Sequence, residues 1–300
     1  MRRSFAFRAF AFWILVLGLV VTIASCNGNA NRPIVVASKN FTEQVILGEL
    51  LSQQIESKTS LKVDRKLNLG GTQICHNGLT SGAIDLYVEY TGTALTSVLK
   101  QPPSNDPQQV YQQVKQAYAK QFALDVLEPL GFNNTFAMII RGDDAQKLGI
   151  RTLSQATQAA SRWQVGVGPE FLDRPDGFPG LVKTYGLKFT AAPRVMDLGL
   201  LYKALTDKQV DLVAGNATDG LIASLNLVVL QDDKRYFPPY EAATIVRQQV
   251  LQQHPELRTA LEALSGKISE TDMRQLNYAV DGEKRDVKQV VQEFRQSKGL

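Results

Sequence analysis

The chain has 300 residues, 44% of them hydrophobic, enough to bury one large core or two moderate ones. Its formal charge of +4 comes mostly from the start: three of the 33 basic residues (Arg2, Arg3, Arg8) and none of the 29 acidic ones precede residue 26, leaving 30 against 29 beyond it. That balance implies neither nucleic acid nor an acidic surface partner.

Residues 9–25 carry no charge and are rich in Phe, Trp, Ile, Leu and Val. They end in Ile23-Ala24-Ser25-Cys26, small residues before a cysteine, which resembles a bacterial lipobox. Residues 1–25 therefore read as a lipoprotein signal peptide, with Cys26 as the lipidated mature N-terminus. The alternative is an uncleaved anchor helix or an ordinary secretory signal, and 17 residues are short for a span. Several acyl chains on one residue hold a protein stably at a membrane. The expected location is exported and anchored through Cys26. Residues 26–32 (Cys-Asn-Gly-Asn-Ala-Asn-Arg) read as a flexible tether. Cys75 is then the one remaining thiol, so no intramolecular disulfide forms.

Residues 34–37 form an apolar run between Pro33 and Ser38, a buried strand. Val45, Ile46, Leu47, Leu50, Leu51 and Ile55 fall at helical spacing, predicting a helix over about 42–56 with Thr42 as N-cap. Residues 61–67 alternate as a strand, Gly70-Gly71 turns, and residues 72–80 are helical. Residues 84–90 alternate again. Strand–helix–strand–helix–strand predicts a parallel sheet with right-handed crossovers. A Pro/Asn/Asp loop over 101–107 precedes a helix from Pro107 to about 125. Residues 135–141 read as extended. Strands at 163–168, 211–215 and 227–230, with a helix near 199–205, suggest a second α/β unit. Pro238-Pro239 breaks the chain, and helices follow at 257–264, 270–278 and 286–295. Two α/β units with a helical tail imply two lobes and a ligand cleft between them.

Catalytic signatures are missing: no G-x-S-x-G elbow, no G-x-x-x-x-G-K-[ST] loop and no H-E-x-x-H helix. Cys75 and His76 point about 100° apart on a helix and do not share a ligand. They read as a buried thiol and a surface imidazole, and His254 as surface capping before Pro255. Asp143-Asp144 and Asp232-Asp233 sit beside turns and read as solvated. No metal site and no cofactor are expected. An enzyme built on distant carboxylates and a sensor lobe are the rival classes.

Lys39 directly follows the first strand and precedes a helix, where backbone N–H groups and an ammonium together make an anion site; its bland alternative is a solvated loop lysine. Tyr90 closes a strand, and Thr93 follows it. Arg174 lies in Glu170-Phe171-Leu172-Asp173-Arg174-Pro175-Asp176-Gly177, where it grips a carboxylate in a bidentate manner or pairs with Asp173 or Asp176. On the first reading, Arg174→Ala removes binding at little cost to the empty protein.

From Ile34 to about Arg295 the chain resembles the glycine betaine/choline/carnitine (quaternary amine) substrate-binding lipoproteins of ABC transporters. The resemblance rests on Ser38-Lys39-x-Phe41-Thr42-Glu43-Gln44, Leu69-Gly70-Gly71-Thr72, Tyr87-x-Glu89-Tyr90-Thr91-Gly92-Thr93 and Pro129-Leu130-Gly131-Phe132-Asn133-Asn134-Thr135. It continues through Glu170-Phe171-x-x-Arg174, Met196-Asp197-x-Gly199-Leu200-x-Tyr202, Thr218-Asp219-Gly220 and Phe237-Pro238-Pro239-Tyr240. It implies a two-lobed type II periplasmic-binding-protein fold of the α/β class, each lobe a mixed sheet flanked by helices. Residues 33–135 with 240–300 would form lobe 1, and 136–239 lobe 2. The implied function is capture of a compatible solute and its delivery to an ABC permease and ATPase, by a monomer that performs no chemistry.

The resemblance also implies the site. Lys39, Thr93 and Arg174 would take a ligand carboxylate, and Tyr90 and Tyr240 would supply rings for the quaternary ammonium, which has no N–H and is selected by cation–π attraction. Two positions depart from the family pattern: Phe136 stands where a tyrosine is expected, and Asn216 where an aromatic is expected. A polar, non-quaternary solute is therefore the alternative ligand. Tyr202 reads as core.

Overall fold

The computed structural model describes residues 32–300; the signal peptide, Cys26 and most of the tether lie outside the described residues. Within them, β1–β4 are Ile34–Lys39, Val63–Gly70, Leu86–Tyr90 and Leu124–Val126. Strands β5–β9 are Phe136–Arg141, Val165–Val167, Arg194–Val195, Leu212–Asn216 and Leu227–Leu230, and β10 is Ala242–Arg247. They make two five-stranded sheets, ordered β2-β1-β3-β10-β4 and β7-β6-β8-β5-β9.

The two sheets share one plan. In the first, β1 pairs in parallel with β2 and β3, and β10 runs antiparallel to β3 and β4. In the second, β6 pairs in parallel with β7 and β8, and β5 runs antiparallel to β8 and β9. The fourth strand of each sheet is thus the antiparallel one. Each follows directly on a crossing between the sheets. Asn134 N–H donates to the Tyr240 carbonyl at 3.0 Å, and Asn133 bridges to Glu241. The two crossing segments lie side by side, and each becomes a strand within two residues.

Alternation fixes what each strand buries. In β3, Leu86, Val88 and Tyr90 join the core between the sheet and the Thr42–Lys58 helix, while Tyr87 joins the cluster on the opposite face with Cys75, Tyr111 and Tyr118. In β5, Met138 and Ile140 face one cluster, Ala137 and Ile139 the other. The Thr42–Lys58 helix packs against β1 and β2 and against the C-terminal helices Pro255–Glu262, Glu270–Asp281 and Val287–Lys298. Being covered on several sides, it buries polar residues as well as apolar ones.

Four sequence expectations change. Thr42 is not the cap: Phe41 occupies that position without a side-chain bond, and the Thr42 hydroxyl donates to Asp281 at 2.7 Å. His76 is not a surface residue. It is 6% exposed, with its ring edge-on to Phe122 at 4.7 Å, and burial pushes its pKa down. His254 is also buried, and Asp232 accepts from the Tyr236 and Phe237 amides rather than standing in solvent. Strand β10 had no sequence signal: it is buried throughout except at Arg247, so its residues do not alternate in polarity.

Candidate ligand-binding cleft

The parallel strands of both sheets end toward one cavity of about 200 Å³. Open α/β sheets hold ligands there because the chain leaves its strands at that edge. Lys39 closes β1, Tyr90 closes β3, and Thr93 stands one turn beyond. Opposite, Phe136 opens β5 and Asn216 closes β8. The two are Cα partners across the strands, so they share a face. Arg174 follows the Pro169–Asp173 helix after β6, and Tyr240 lies on the returning crossing segment. All seven residues singled out from the sequence line this cavity.

Both cations are held by a buried carboxylate. Lys39 Nζ lies 2.5 Å from Glu89 Oε1 and 4.6 Å from the centroid of the Tyr90 ring. Glu89 also accepts from the Tyr87 hydroxyl and the Tyr90 amide. Arg174 donates through Nε and Nη2 to Asp176 at 2.9 and 2.6 Å, and through Nη1 to the Thr93 hydroxyl at 3.0 Å. Its guanidinium sits 4.9 Å from the Phe136 ring. Both readings of Arg174 are therefore met at once: it pairs with Asp176 and faces the cavity. Because the pair is buried, its geometry argues that losing Arg174 costs the empty protein stability.

The ring hydroxyls point away from the cavity. Tyr90 OH donates to Glu43 at 2.6 Å and Tyr240 OH to Asp176 at 2.5 Å. Burial, followed by the adjacent carboxylate, raises both phenols well above their ordinary pKa, so they stay protonated donors. Burial alone would lower the Arg174 pKa, but the Asp176 carboxylate holds it above its usual value.

Sequence reasoning missed several lining residues. Phe41 stacks on Tyr90 with centroids 6.4 Å apart, and Phe171 lies 4.8 Å from Phe136. The signal for Phe171 was available: it stands three residues before Arg174, where a helical turn puts both on one face. Glu170 was quoted as part of a motif without a role. Its Oε1 accepts from the Thr72 amide at 2.7 Å, capping the Thr72–Ser81 helix of the first sheet from the second. Gly71 admits this approach, since a Cβ there would lie 1.9 Å from that oxygen. Tyr202 is core as expected, with its hydroxyl on Asp219. Among the described residues, no group of three His, Cys, Asp or Glu could hold a metal ion.

Two α/β lobes around a cleft lined by rings and carboxylate-held cations define a periplasmic-binding-protein fold. Residues 32–297 match the OpuAC family model, the substrate binding domain of ABC-type glycine betaine transport systems, and the chain belongs to this family. It is accordingly a substrate-binding component of an ABC transporter. It is 34% identical over 292 residues to a carnitine transport binding protein of Listeria monocytogenes, with 95% of this chain and 94% of that one covered. It is 36% identical over 290 residues to an ergothioneine transport permease/ergothioneine binding protein of Helicobacter pylori, covering 96% of this chain and 52% of that protein. A crystal structure of a glycine betaine/carnitine/choline ABC transporter superposes with a TM-score of 0.73 at 34% identity, covering 89% of this chain and 98% of that one.

Proposed function

We propose that this protein captures a quaternary-ammonium solute such as glycine betaine, choline or carnitine between its lobes and hands it unchanged to an ABC permease and ATPase. The observation that carries this reading is the convergence of Phe41, Tyr90, Phe136, Phe171 and Tyr240 on one cavity. Ring faces select a cation that cannot donate hydrogen bonds, at about 0.5–2 kcal/mol per ring. Lys39, Thr93 and Arg174 then orient a carboxylate, where the solute has one. Residues 33–135 with 240–300 make one lobe and 136–239 the other, closing about the paired crossing segments. The protein acts as a monomer, exported and tethered to the membrane by lipid on Cys26. Among the described residues, no helix is long and apolar enough to cross a membrane.

Isothermal titration with glycine betaine, choline and carnitine tests this reading, with recovery of the solute by mass spectrometry. Saturable binding of at least one, recovered intact, is expected. No heat from any of the three, or a chemically altered product, would overturn it.

A second reading rests on Asn216. An amide in place of a ring costs up to about thirtyfold in cation affinity, but it offers a donor and an acceptor. Asp219 behind it accepts from the Asn216 amide N–H at 2.8 Å and fixes the loop. A solute with a polar group beyond its onium centre, as in ergothioneine, would use that wall. Ergothioneine therefore belongs in the same titration. Tighter binding than choline would favour this reading.

A further inference from the structure

Behind the cavity, Glu43 is 1% exposed and accepts four hydrogen bonds from four separate segments. Tyr90 OH donates to Oε1 at 2.6 Å and Asn134 Nδ2 to the same oxygen at 2.7 Å. Asn277 Nδ2 donates to Oε2 at 2.9 Å, and the Thr218 hydroxyl donates there too. Tyr90 belongs to β3 of the first sheet, and Asn134 to a crossing segment. Thr218 lies in the loop after β8 of the second sheet, and Asn277 in the Glu270–Asp281 helix. All four partners are uncharged, and they fill the acceptor sites of one carboxylate.

From this convergence we infer that Glu43 is a positioning residue of the binding site: it aims the Tyr90 ring at the ligand and pins the second lobe to the first beside the crossing. The inference rests on the binding function proposed above. The chemistry is specific to an acceptor-only group. Glutamine has the same shape, but its –NH₂ would face donors, since two of the four partners are amide –NH₂ groups that only donate. Asn134 ties the arrangement together. It lines the cavity, donates to Glu43, and accepts from the Thr218 amide at 3.4 Å. The ring that meets the solute and the loop that moves with the other lobe therefore hang on one carboxylate.

The test compares wild type, E43Q, T218V, Y90F and E43Q/Y90F by isothermal titration with glycine betaine, choline and carnitine, alongside thermal melts of the empty proteins. E43Q is expected to weaken the best-bound probe tenfold or more, and T218V threefold or more. In the Y90F background, E43Q should lose much less affinity than it does alone, because the hydroxyl it acts through is already gone. A purely structural role lowers melting temperatures and leaves affinity unchanged in both E43Q and T218V; that result overturns the inference. Additive losses in E43Q/Y90F overturn the link to Tyr90. If E43Q does not fold, T218V decides alone. If wild type binds none of the three probes, the functional reading fails by itself. Small-angle scattering of the empty proteins then decides the pinning: a larger radius of gyration in E43Q supports it, and an unchanged one overturns it.

Discussion

Without the Arg174 guanidinium, Asp176 keeps the Tyr240 hydroxyl as its one described side-chain donor, in a site with no exposure to water. Breaking a buried pair from one side costs about 3–5 kcal/mol. R174A is therefore expected to abolish binding of carboxylate-bearing solutes and also to lower the melting temperature of the empty protein by several degrees. R174A/D176N should recover part of that stability without recovering binding. An R174A melting point equal to wild type would show that the pair contributes little to folding. Asp219 makes a second prediction. Burial pushes its carboxyl up to about 7. A raised carboxyl contributes stability below its unfolded pKa of about 4, and that contribution is lost as pH rises through about 7. Urea midpoints of wild type should fall between pH 5 and pH 8, and those of D219N should fall less. Equal slopes in the two proteins would contradict the Asp219 assignment.

Among the elements, the Thr72–Ser81 helix receives its N-terminal cap from the other lobe. Caps of this kind are worth about 0.5–2 kcal/mol, and this one exists only while Glu170 reaches Thr72. E170A should therefore weaken solute binding by a few-fold; a wild-type affinity would argue that the contact is incidental. Gly220 marks another close approach: a Cβ there would sit 2.3 Å from the Tyr278 amide nitrogen, which belongs to the Glu270–Asp281 helix. Backbone cannot yield as a side chain can, so G220A is expected to cost about 1–3 kcal/mol in a chemical melt. The elements also explain what was legible. Lys39 and Tyr90 announced themselves because a charge or hydroxyl at a strand end interrupts an apolar run, and Arg174 did so through its motif. Glu43 did not, since one acidic residue in a first helical turn has an ordinary explanation in the helix dipole. Strand β10 was hidden because burial on both faces erases the period of two. Asn216 was recognised through its motif, and its direct pairing with Phe136 needed the sheet register.

For the whole molecule, binding between two lobes should appear as a concentration-dependent rise in melting temperature, because a ligand that binds only the folded form stabilises it by about 2.7 kcal/mol at a hundredfold excess over Kd. Scattering should report a smaller radius of gyration on saturation, since contacts from both lobes exist together only when the cleft is shut. An unchanged radius with clear binding would mean that the cleft is already closed when empty.

The route of the chain through its two sheets sets an order of assembly. The second sheet is built from one continuous stretch, β5 to β9, whereas the first waits for β10 to slot between β3 and β4. A polypeptide emerging from its N-terminus can finish the later-made half before the earlier one. Until β10 emerges, β3 and β4 face each other across a vacant lane, with their hydrogen-bonding edges unpaired. In refolding, that contiguity of the second sheet should show in pulse-labelled exchange as amides of β5 and β8 protected ahead of those of β3.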